Sequence, residues 1–338
     1  MEKKRALITG IAGQDGSYLA DHLLNAGVEV FGVLRRNSIP ENQDCRLSYL
    51  GDRVITFYGD VTDHASMVHV MSEVRPHFIY NLAAQSHVRI SFDIPSYTAA
   101  TNALGVLNML ECTREVVPSA RFYQASSSEM FGNSVDADGF QRLTTPMRPI
   151  SPYGNAKLFG FNSVRLYRKA YGLFACNGIL FNHESPRRGS NFVTAKVVKT
   201  AVEISMGLAT KLELGNLDSY RDWGHSSDYT RAMMLILNCD MPDDWIVATG
   251  ESRSVRMMCQ YVFNYLGLDY ENYVAQNEKY IRPSELNLLR GDSSCIRNEL
   301  GWSPQYNFEQ MLDEMIEHWI KVKKQELYYA SEVGRVNE

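Results

Sequence analysis

Short apolar runs alternate with amphipathic stretches through the first half of the chain. The apolar runs have the length of strands, and the stretches between them carry apolar residues at helical spacing. Such alternation is typical of a parallel sheet covered by helices on both faces. The pattern predicts strands at residues 5–9, 28–34, 54–58, 78–82, 121–125 and 174–181, and helices near 17–26, 64–75, 97–115 and 152–171.

Beyond about residue 182 the pattern becomes less regular. One apolar run, at 245–248, has the character of a strand that returns to the main sheet. Helical periods return near residues 193–207, 228–238, 254–267 and 307–323.

We therefore predict an α/β fold, a Rossmann-like doubly wound parallel sheet with a smaller mixed C-terminal lobe. The main domain is predicted to span residues 1–182 with a returning segment near 225–250. Residues 183–330 are predicted to form the smaller lobe, which completes a substrate cleft. Residues 325–338 are expected to be a loosely held tail.

The composition excludes several classes of protein. A net charge of −5 gives no reason to expect nucleic acid or an anionic membrane as a partner, and every apolar run is broken well before the roughly 20 residues of a membrane span. The six cysteines are scattered without a C-x-x-C pair, which favours reduced thiols in the cytoplasm over a disulfide framework. The eight histidines show no zinc-binding spacing, so we predict no metal. The predicted strand at 5–9 leaves no room for a signal peptide.

A glycine pattern follows the first predicted strand and opens the first predicted helix. It reads Gly10-Ile-Ala-Gly-Gln-Asp-Gly16, that is G-x-x-G-x-x-G. The pattern alone is weak, but between a strand and a helix it is strong. There the glycines allow a tight turn and the close approach of a pyrophosphate to the helix N-terminus. We therefore predict a dinucleotide site.

A pair of arginines indicates which dinucleotide binds. Arg35 and Arg36 end the second predicted strand, where enzymes that use NAD usually have an acidic residue. Two guanidinium groups suit a 2′-phosphate, so we predict NADP; the alternative is a solvated arginine pair. Asp60, after the third strand, is placed to meet the adenine, and the small residues of 82–86 would let a ribose or nicotinamide approach.

Two fragments carry the candidate chemistry: Ser-Ser-Ser-Glu at 126–129 and Tyr-Gly-Asn-Ala-Lys at 153–157. Tyr153 and Lys157 lie one helical turn apart, and Ser151-Pro152 forms a suitable helix start. We expect the ammonium to lower the pKa of the phenol and make Tyr153 a base. A Tyr-x-x-x-Lys pair alone is more often a surface pair. Glu129 adds a carboxylate, which a simple dehydrogenase does not need but an enzyme that removes a carbon-bound proton and expels water does.

Together these residues resemble the extended short-chain dehydrogenase/reductase family, and within it the 4,6-dehydratases of GDP-sugars. The resemblance covers nearly the whole chain, and its most specific stretches are 6–10, 13–18, 122–126, 178–189, 221–225 and 248–250. It implies an internal redox reaction in which GDP-mannose becomes GDP-4-keto-6-deoxymannose, a precursor of deoxysugars, with NADP kept bound and recycled. It also implies a homodimer or homotetramer, for which residues 35–50 are a candidate contact.

The resemblance also assigns roles to residues. In the catalytic set, Tyr153 with Lys157 removes the C4 hydroxyl proton, Ser127 binds the developing oxyanion, and Glu129 takes the C5 proton. The expected cofactor contacts are Gly10, Gly13, Gln14, Asp15, Gly16, Arg35, Arg36, Asp60, Val61, Leu82, Ala83, Ala84, Gln85, Ser86, Tyr97, Tyr153, Lys157, His183 and Arg188. The expected substrate contacts are Ser86, Ser127, Ser128, Glu129, Asn182, Asn191, Lys196, Arg221, Arg282 and Glu285.

Three positions depart from the usual pattern of that family: Ser127 replaces threonine, Ile150 replaces arginine in a Tyr-Pro-Arg segment, and Ala195 replaces arginine. They put the identity of the sugar in doubt, with GDP-manno-heptose as the alternative. A nucleotide-sugar epimerase or 4-keto reductase would need Tyr153 and Lys157 but not Glu129. A non-catalytic NADP-binding regulator would need none of the three.

Overall fold

The computed structural model of the chain describes residues 3–36 and 46–336, with side chains described as far as residue 330. Most of the candidate contact at 35–50 lies outside the described residues, as does Cys45. The strands are β1 Arg5–Thr9, β2 Glu29–Leu34, β3 Val54–Tyr58, β4 Phe78–Asn81, β5 Arg121–Ser127, β6 Ala175–Leu180, β7 Asn182–Glu184, β8 Leu212–Leu214, β9 Tyr220–His225, β10 Asp244–Val247, β11 Ser252–Ser254 and β12 Val274–Gln276. The helices are α1 Gln14–Asn25, α2 His64–Val74, α3 Val88–Ser91, α4 Pro95–Ala99, α5 Gly105–Val116, α6 Pro152–Tyr171, α7 Val193–Ser205, α8 Ser226–Asn238, α9 Val255–Tyr265, α10 Ser294–Leu300 and α11 Phe308–Val336.

The main sheet has seven parallel strands in the order β10-β6-β5-β4-β1-β2-β3. Because side chains alternate along a strand, β1 sends Ala6 and Ile8 to one face and Leu7 to the other. Ala6 and Ile8 pack with residues of α1 and α8, and Leu7 packs with residues of α2, α5 and α6. Both faces are thus covered, as the alternation of strands and helices predicted.

The smaller lobe has its own apolar core. Residues of α7, α9 and α11 form this core with the three-stranded sheet β11-β9-β7 and the parallel pair β12-β8. Strand β10 pairs in parallel with β6, so the chain re-enters the main sheet at its edge after β9 and α8. The carboxyl ends of β4, β5 and β6 face this lobe, and a cleft forms between them.

Two sequence expectations about single elements differ from the structure. The helical period at 97–115 is three consecutive segments, α4, a π-helical turn at Ala100–Leu104, and α5. The expectation of a loose tail at 325–338 was wrong, because α11 continues to Val336. Lys323 supports this extension through ion pairs with Glu203 at 2.9 Å and with Glu326 at 2.8 Å.

Candidate active site

Helix α6 begins where the sequence predicted, and its first turn carries the candidate base. The Ser151 side chain accepts a hydrogen bond from the amide of Gly154 at 3.0 Å, and Pro152 occupies the first helical position. This cap holds Tyr153 and Lys157 on the face of α6 that is turned toward the sheet, where they are 8% and 5% exposed. The cap therefore sets the place of both groups.

Strand β5 and the turn after it bring a hydroxyl and a carboxylate to the same place. Ser127 is the last residue of β5, and its hydroxyl accepts the amide of Glu129 at 3.2 Å. A Cβ added at Gly154 would lie 2.8 Å from the carbonyl oxygen of Glu129. The turn of Glu129 and the first turn of α6 therefore touch, which only a glycine at 154 permits.

The pKa expectation for the Tyr153–Lys157 pair was wrong for the protein alone. Burial raises the pKa of Tyr153 to about 12, with the Ser127 hydroxyl opposing the shift. Burial also lowers the pKa of Lys157 to about 8. The Lys157 ammonium donates to the carbonyl oxygen of Ala125 at 2.8 Å and lies 5.7 Å from the centre of the Tyr153 ring. Desolvation outweighs the attraction between a phenolate and an ammonium at this separation.

Charged groups of alternating sign line the opposite wall of the site. Arg282 donates to the Glu129 carboxylate at 3.1 Å and lies 3.9 Å from Glu285, which accepts from Arg221 at 3.2 Å. Arg221 is almost fully buried, and burial lowers its pKa. Each guanidinium group is paired with a carboxylate, and both have the planar, forked arrangement of donors that suits a diphosphate.

The glycine turn brings β1, α1 and β4 close together. Gly10 has φ +69°, and a Cβ added there would lie 2.9 Å from the amide nitrogen of Ala83. A Cβ at Gly16 would lie 2.4 Å from the Gly10 carbonyl oxygen, so only glycine fits. Gly13 is the N-cap of α1 and has no side chain to satisfy the first amides of that helix. This cradle has the form that binds a dinucleotide pyrophosphate.

A charged pair joins this turn to the far side of the cleft. His183 lies 2.7 Å from the Phe181 carbonyl through Nδ1 and 2.8 Å from the Asp15 carboxylate through Nε2. Both partners are acceptors, so both ring nitrogens must donate and the ring is an imidazolium. Burial lowers the pKa of His183, but Asp15 outweighs it and the net shift is upward. Burial raises the pKa of Asp15, yet His183 and Ser226 bring it down to about 2. The Gln14 amide donates to the His183 carbonyl at 3.1 Å.

Loop 82–86 divides its residues between the cleft and the core. Leu82 and Ala83 donate their amides to the Thr9 hydroxyl at 3.1 Å, and the Gln85 amide is held by Asn102. Leu82, Ala84 and Ser86 line the cleft.

The predicted adenosine contacts lie outside that cleft. Arg35 and Arg36 are exposed at the end of β2, where Arg35 donates to the Tyr97 hydroxyl. The Asp60 carboxylate accepts from the amide and the hydroxyl of Thr62. Val61 is buried against Gly105 of α5. The Val61 side chain belongs to the apolar core that also holds Leu7 and Ile79, and the assignment of Val61 to the cofactor stays a prediction.

One cavity of about 770 Å³ gathers the catalytic and substrate predictions. Lys196 reaches its wall through a 2.6 Å bond to the Glu213 carbonyl and lies 3.6 Å from the centre of the Tyr280 ring. All the residues predicted to contact substrate line this cavity, as do Tyr153, Lys157, Asp15, His183 and Arg188: Ser86, Ser127, Ser128, Glu129, Asn182, Asn191, Lys196, Arg221, Arg282 and Glu285.

Glu184 and Tyr280 are among the residues of this cavity that sequence reasoning missed. Glu184 is 2% exposed, its pKa is raised by burial, and its carboxylate lies 2.9 Å from Arg188. The four-residue spacing of Glu184 and Arg188 was a readable signal. Tyr280 also lines the cavity, but it comes from a segment whose sequence had no recognisable pattern.

The described part of the chain has neither a membrane-spanning helix nor a metal-binding cluster. Within residues 3–36 and 46–336, no helix combines the length and apolar character needed to cross a membrane. The same ranges hold no group of three His, Cys, Asp or Glu side chains arranged for a metal ion.

Comparison of the fold with solved structures gives close matches. UDP-glucose 4-epimerase from Thermotoga maritima superimposes with a TM-score of 0.83 at 24% identity, over 94% of this chain and 99% of that one. The dTDP-glucose 4,6-dehydratase of Bacillus anthracis, solved with NAD, gives 0.82 at 22% identity, over 95% and 98%. At these identities the likeness establishes the Rossmann-like fold with its smaller mixed lobe.

Comparison of the sequence is more specific. The GDP-mannose 4,6 dehydratase family model matches residues 7–315. GDP-mannose 4,6 dehydratase 2 of Arabidopsis thaliana is 46% identical over 96% of this chain and 89% of its own length. The human GDP-mannose 4,6 dehydratase is 43% identical over 92% and 90%, and that of Vibrio cholerae is 41% identical over 95% of both. These matches show that the chain, whose predicted catalytic residues lie in one cavity, belongs to the GDP-mannose 4,6-dehydratase family.

Proposed function

We propose that the chain converts GDP-mannose to GDP-4-keto-6-deoxymannose and water, with Ser127, Glu129, Tyr153 and Lys157 as its catalytic set. The observation that carries this assignment is the contact between the Glu129 turn and the first turn of α6. The Glu129 carboxylate and the Tyr153 phenol line the same cavity, and the charge of Glu129 helps to raise the pKa of Tyr153. An epimerase or a 4-keto reductase has no step that uses this carboxylate.

We propose NADP as the cofactor, held tightly and recycled within each turnover. The glycine cradle fits its pyrophosphate, since a Cβ at Gly10 or Gly16 would fill the space beside the backbone. We assign Arg35 and Arg36 to the 2′-phosphate, because both are exposed cations at the end of β2. When bound in this cradle, NADP would supply the hydride chemistry, taking up the hydride from C4 and giving it back at C6.

The side chains supply the proton transfers. Tyr153 takes the proton of the C4 hydroxyl, with the Lys157 ammonium nearby to favour the phenolate, and the Ser127 hydroxyl donates to the developing C4 oxygen anion. The resulting ketone acidifies the hydrogen at C5. Glu129 removes that proton, and the proton held by Tyr153 goes to the C6 hydroxyl, which leaves as water. Once hydride has been added at C6, Glu129 returns a proton, exchanged with solvent, to C5, so that both side chains regain their starting forms.

We assign the GDP portion to the wall formed by Arg221, Arg282 and Glu285, with Lys196 and Asn191 beside it. The two guanidinium groups suit the diphosphate, and Glu285 is an acceptor for the nucleoside. We propose that residues 1–182 hold the cofactor and residues 183–330 hold the nucleotide of the substrate. The departure at Ala195 does not alter the sugar pocket directly, since Ala195 is fully buried in the core of the smaller lobe.

We also propose a cytoplasmic homodimer or homotetramer. Phe159 and Leu166 of α6 are 44% and 58% exposed. Large apolar side chains this exposed on one helix support a contact between subunits.

The experiment that tests the function is incubation of the purified protein in heavy water with GDP-mannose or with GDP-manno-heptose, without added cofactor, followed by mass spectrometry. We expect loss of one water, one deuterium at C5, and preference for the mannose. Glu129→Gln should lower the rate of dehydration at least about 100-fold, while C4 oxidation persists. Glu111→Gln, on α5 outside the cavity, is the control.

Three results would contradict the proposal. Preference for the heptose would reassign the sugar. Inversion or reduction without loss of water would favour the epimerase or reductase. Full activity of the Glu129→Gln variant would remove the carboxylate from the mechanism.

A further inference from the structure

A row of polar side chains crosses the main sheet beneath helix α6. Strand register pairs Thr9 with Asn81, Asn81 with Gln124, Gln124 with Asn177, and Asn177 with Asp244. The row therefore runs through β1, β4, β5, β6 and β10, and its members are between 0% and 6% exposed. Parallel strands covered on both faces normally read as continuous apolar runs. Five polar residues side by side call for a physical reason.

Hydrogen bonds link one half of the row into a directed chain that ends at the catalytic lysine. The Thr9 hydroxyl donates to Asn81 Oδ1 at 2.7 Å, and Asn81 Nδ2 donates to Gln124 Oε1 at 2.8 Å. Gln124 Nε2 then donates to the carbonyl oxygen of Ala125 at 3.0 Å. The same carbonyl oxygen accepts the Lys157 ammonium at 2.8 Å.

Each link fixes the orientation of the next amide. Because Thr9 donates to Asn81, the Asn81 oxygen faces Thr9 and its nitrogen faces Gln124. Gln124 must then turn its own nitrogen toward Ala125. The Thr9 hydroxyl is fixed in turn by the amides of Leu82 and Ala83, which it accepts. The chain thus joins the loop predicted to touch the cofactor to the carbonyl that holds Lys157.

The other half of the row holds the middle of α6. Asn177 Nδ2 donates to the Phe161 carbonyl at 3.3 Å and to Asp244 at 2.8 Å, and Asp244 accepts from Arg168 of α6 at 2.5 Å. Ser126, beside the catalytic Ser127, donates to Asn177 Oδ1 at 3.0 Å. Both halves of the row therefore fix α6 relative to β5.

We propose that Gln124 is a positioning residue for Lys157: its amide, oriented by Thr9 and Asn81, fixes the Ala125 carbonyl that holds the ammonium beside Tyr153. The inference rests on the proposed function only for the role of Lys157 in turnover. Gln124 itself does not line the cavity, so it acts through the carbonyl and not on the substrate.

The surroundings of Lys157 make this arrangement sensitive to charge. Burial lowers the pKa of Lys157 to about 8, and Asp15 of α1 is the charged group that opposes this shift. Tyr153 is the titratable group near it on α6, and Glu129 lies in the turn that touches the first turn of that helix. A new carboxylate at position 124 would lie near the ammonium, because both side chains reach the same carbonyl oxygen.

The test is Gln124→Glu, which keeps the shape and the acceptor for Asn81 but replaces the donor that faces Ala125. We expect kcat to fall at least about tenfold with the KM for GDP-mannose unchanged. The midpoint of Lys157, followed by NMR of lysine labelled at the ε-carbon and assigned with Lys157→Met, should rise by about one pH unit. Gln141→Glu is the control, because Gln141 is fully buried but lies among residues of the smaller lobe.

Each outcome decides the proposal. A Lys157 midpoint that is unchanged in Gln124→Glu, or a kcat loss no larger than that of the control, would overturn it. If Gln124→Glu does not fold, Gln124→Met should still lower kcat with KM unchanged, and wild-type kcat in that variant would overturn it. The NMR titration needs no substrate, so absence of turnover with GDP-mannose would count against the function alone.

Discussion

At the level of single residues, burial has the largest effect on the titration of the catalytic groups. The pKa of Lys157 is lowered to about 8 and that of Tyr153 is raised to about 12 by the same loss of solvent. Both shifts disfavour the charged forms that the chemistry uses. A site built to bind a charged cofactor and substrate therefore carries an energetic cost in the protein alone.

This cost gives a pH-dependent effect on stability. Lys157 has a usual pKa of 10.5, so between about pH 8 and 10.5 the unfolded chain holds more protons and stability rises with pH. Below pH 8 the folded protein carries the full free-energy cost of burying the Lys157 ammonium. We expect Lys157→Met to abolish turnover yet stabilise the fold at pH 7 by up to about 3 kcal/mol, with the difference vanishing above pH 10.5.

The measurement is denaturant unfolding of both proteins at pH 7 and at pH 10.5, with the same cofactor content. Lys169→Met, at an exposed position of the same helix, is the matched control and should not stabilise the fold at pH 7. Destabilisation by Lys157→Met at both pH values would show that packing around the ammonium matters more than its desolvation.

The sequence predicted single residues well where a local spacing carried the signal. Tyr153 and Lys157 are four apart, and Ser127 and Glu129 are two apart, so one turn or one strand end brings each pair together. Gln124 was missed because its partner Asn81 lies 43 positions away, and only the register of β4 and β5 reveals the contact. The predicted lowering of the Tyr153 pKa was wrong for a related reason, since the sequence does not show how deeply the phenol is buried.

At the level of elements, the start of α6 matters most, because Tyr153, the proposed base, lies in its first turn. The sequence predicted this helix at 152–171, and Ser-Pro is a strong local start signal. The sequence erred at the end of α11, where the polar composition of the last residues suggested no structure. There the helix is held by tertiary ion pairs such as Lys323–Glu203, which no local pattern predicts.

The cap of α6 can be tested directly. Ser151→Ala removes the acceptor for the Gly154 amide and should cost about 1 kcal/mol of stability. Because Tyr153 belongs to the turn that loses its cap, we expect kcat to fall several-fold, and Ser151→Thr should restore it. Unfolding curves and steady-state rates would be compared with Ser163→Ala, in the middle of the same helix. Equal kcat for the two alanine variants would show that the first turn is held by its other contacts.

At the level of the whole molecule, one buried carboxylate joins the two lobes. Asp222 of β9 accepts from the amide and hydroxyl of Thr249, from the Gly250 amide and from the Gly291 amide. Thr249 and Gly250 follow β10 of the main sheet, whereas β9 belongs to the small one. The sequence predicted both lobes from periodicity, but the contact between them depends on residues far apart in the chain.

Replacement of Asp222 by asparagine should loosen that contact. An asparagine oxygen can accept only some of the hydrogen bonds that the Asp222 carboxylate accepts, and its amide nitrogen would face backbone donors. We therefore expect the free energy of unfolding to fall by about 3 kcal/mol at pH 7. Burial raises the pKa of Asp222 from 3.8 to about 6. Its contribution to stability is therefore fully present below pH 3.8 and is lost as pH rises through 6. The variant lacks this contribution, so the gap between the two proteins should widen from pH 7 to pH 4.5. Denaturant unfolding followed at both pH values would measure this, with the exposed Asp93→Asn as a control expected to change stability by less than about 0.5 kcal/mol.

Because the two lobes have separate apolar cores, we also expect the variant to unfold in two steps. A single transition with an unchanged midpoint would show that the lobes are held together without Asp222.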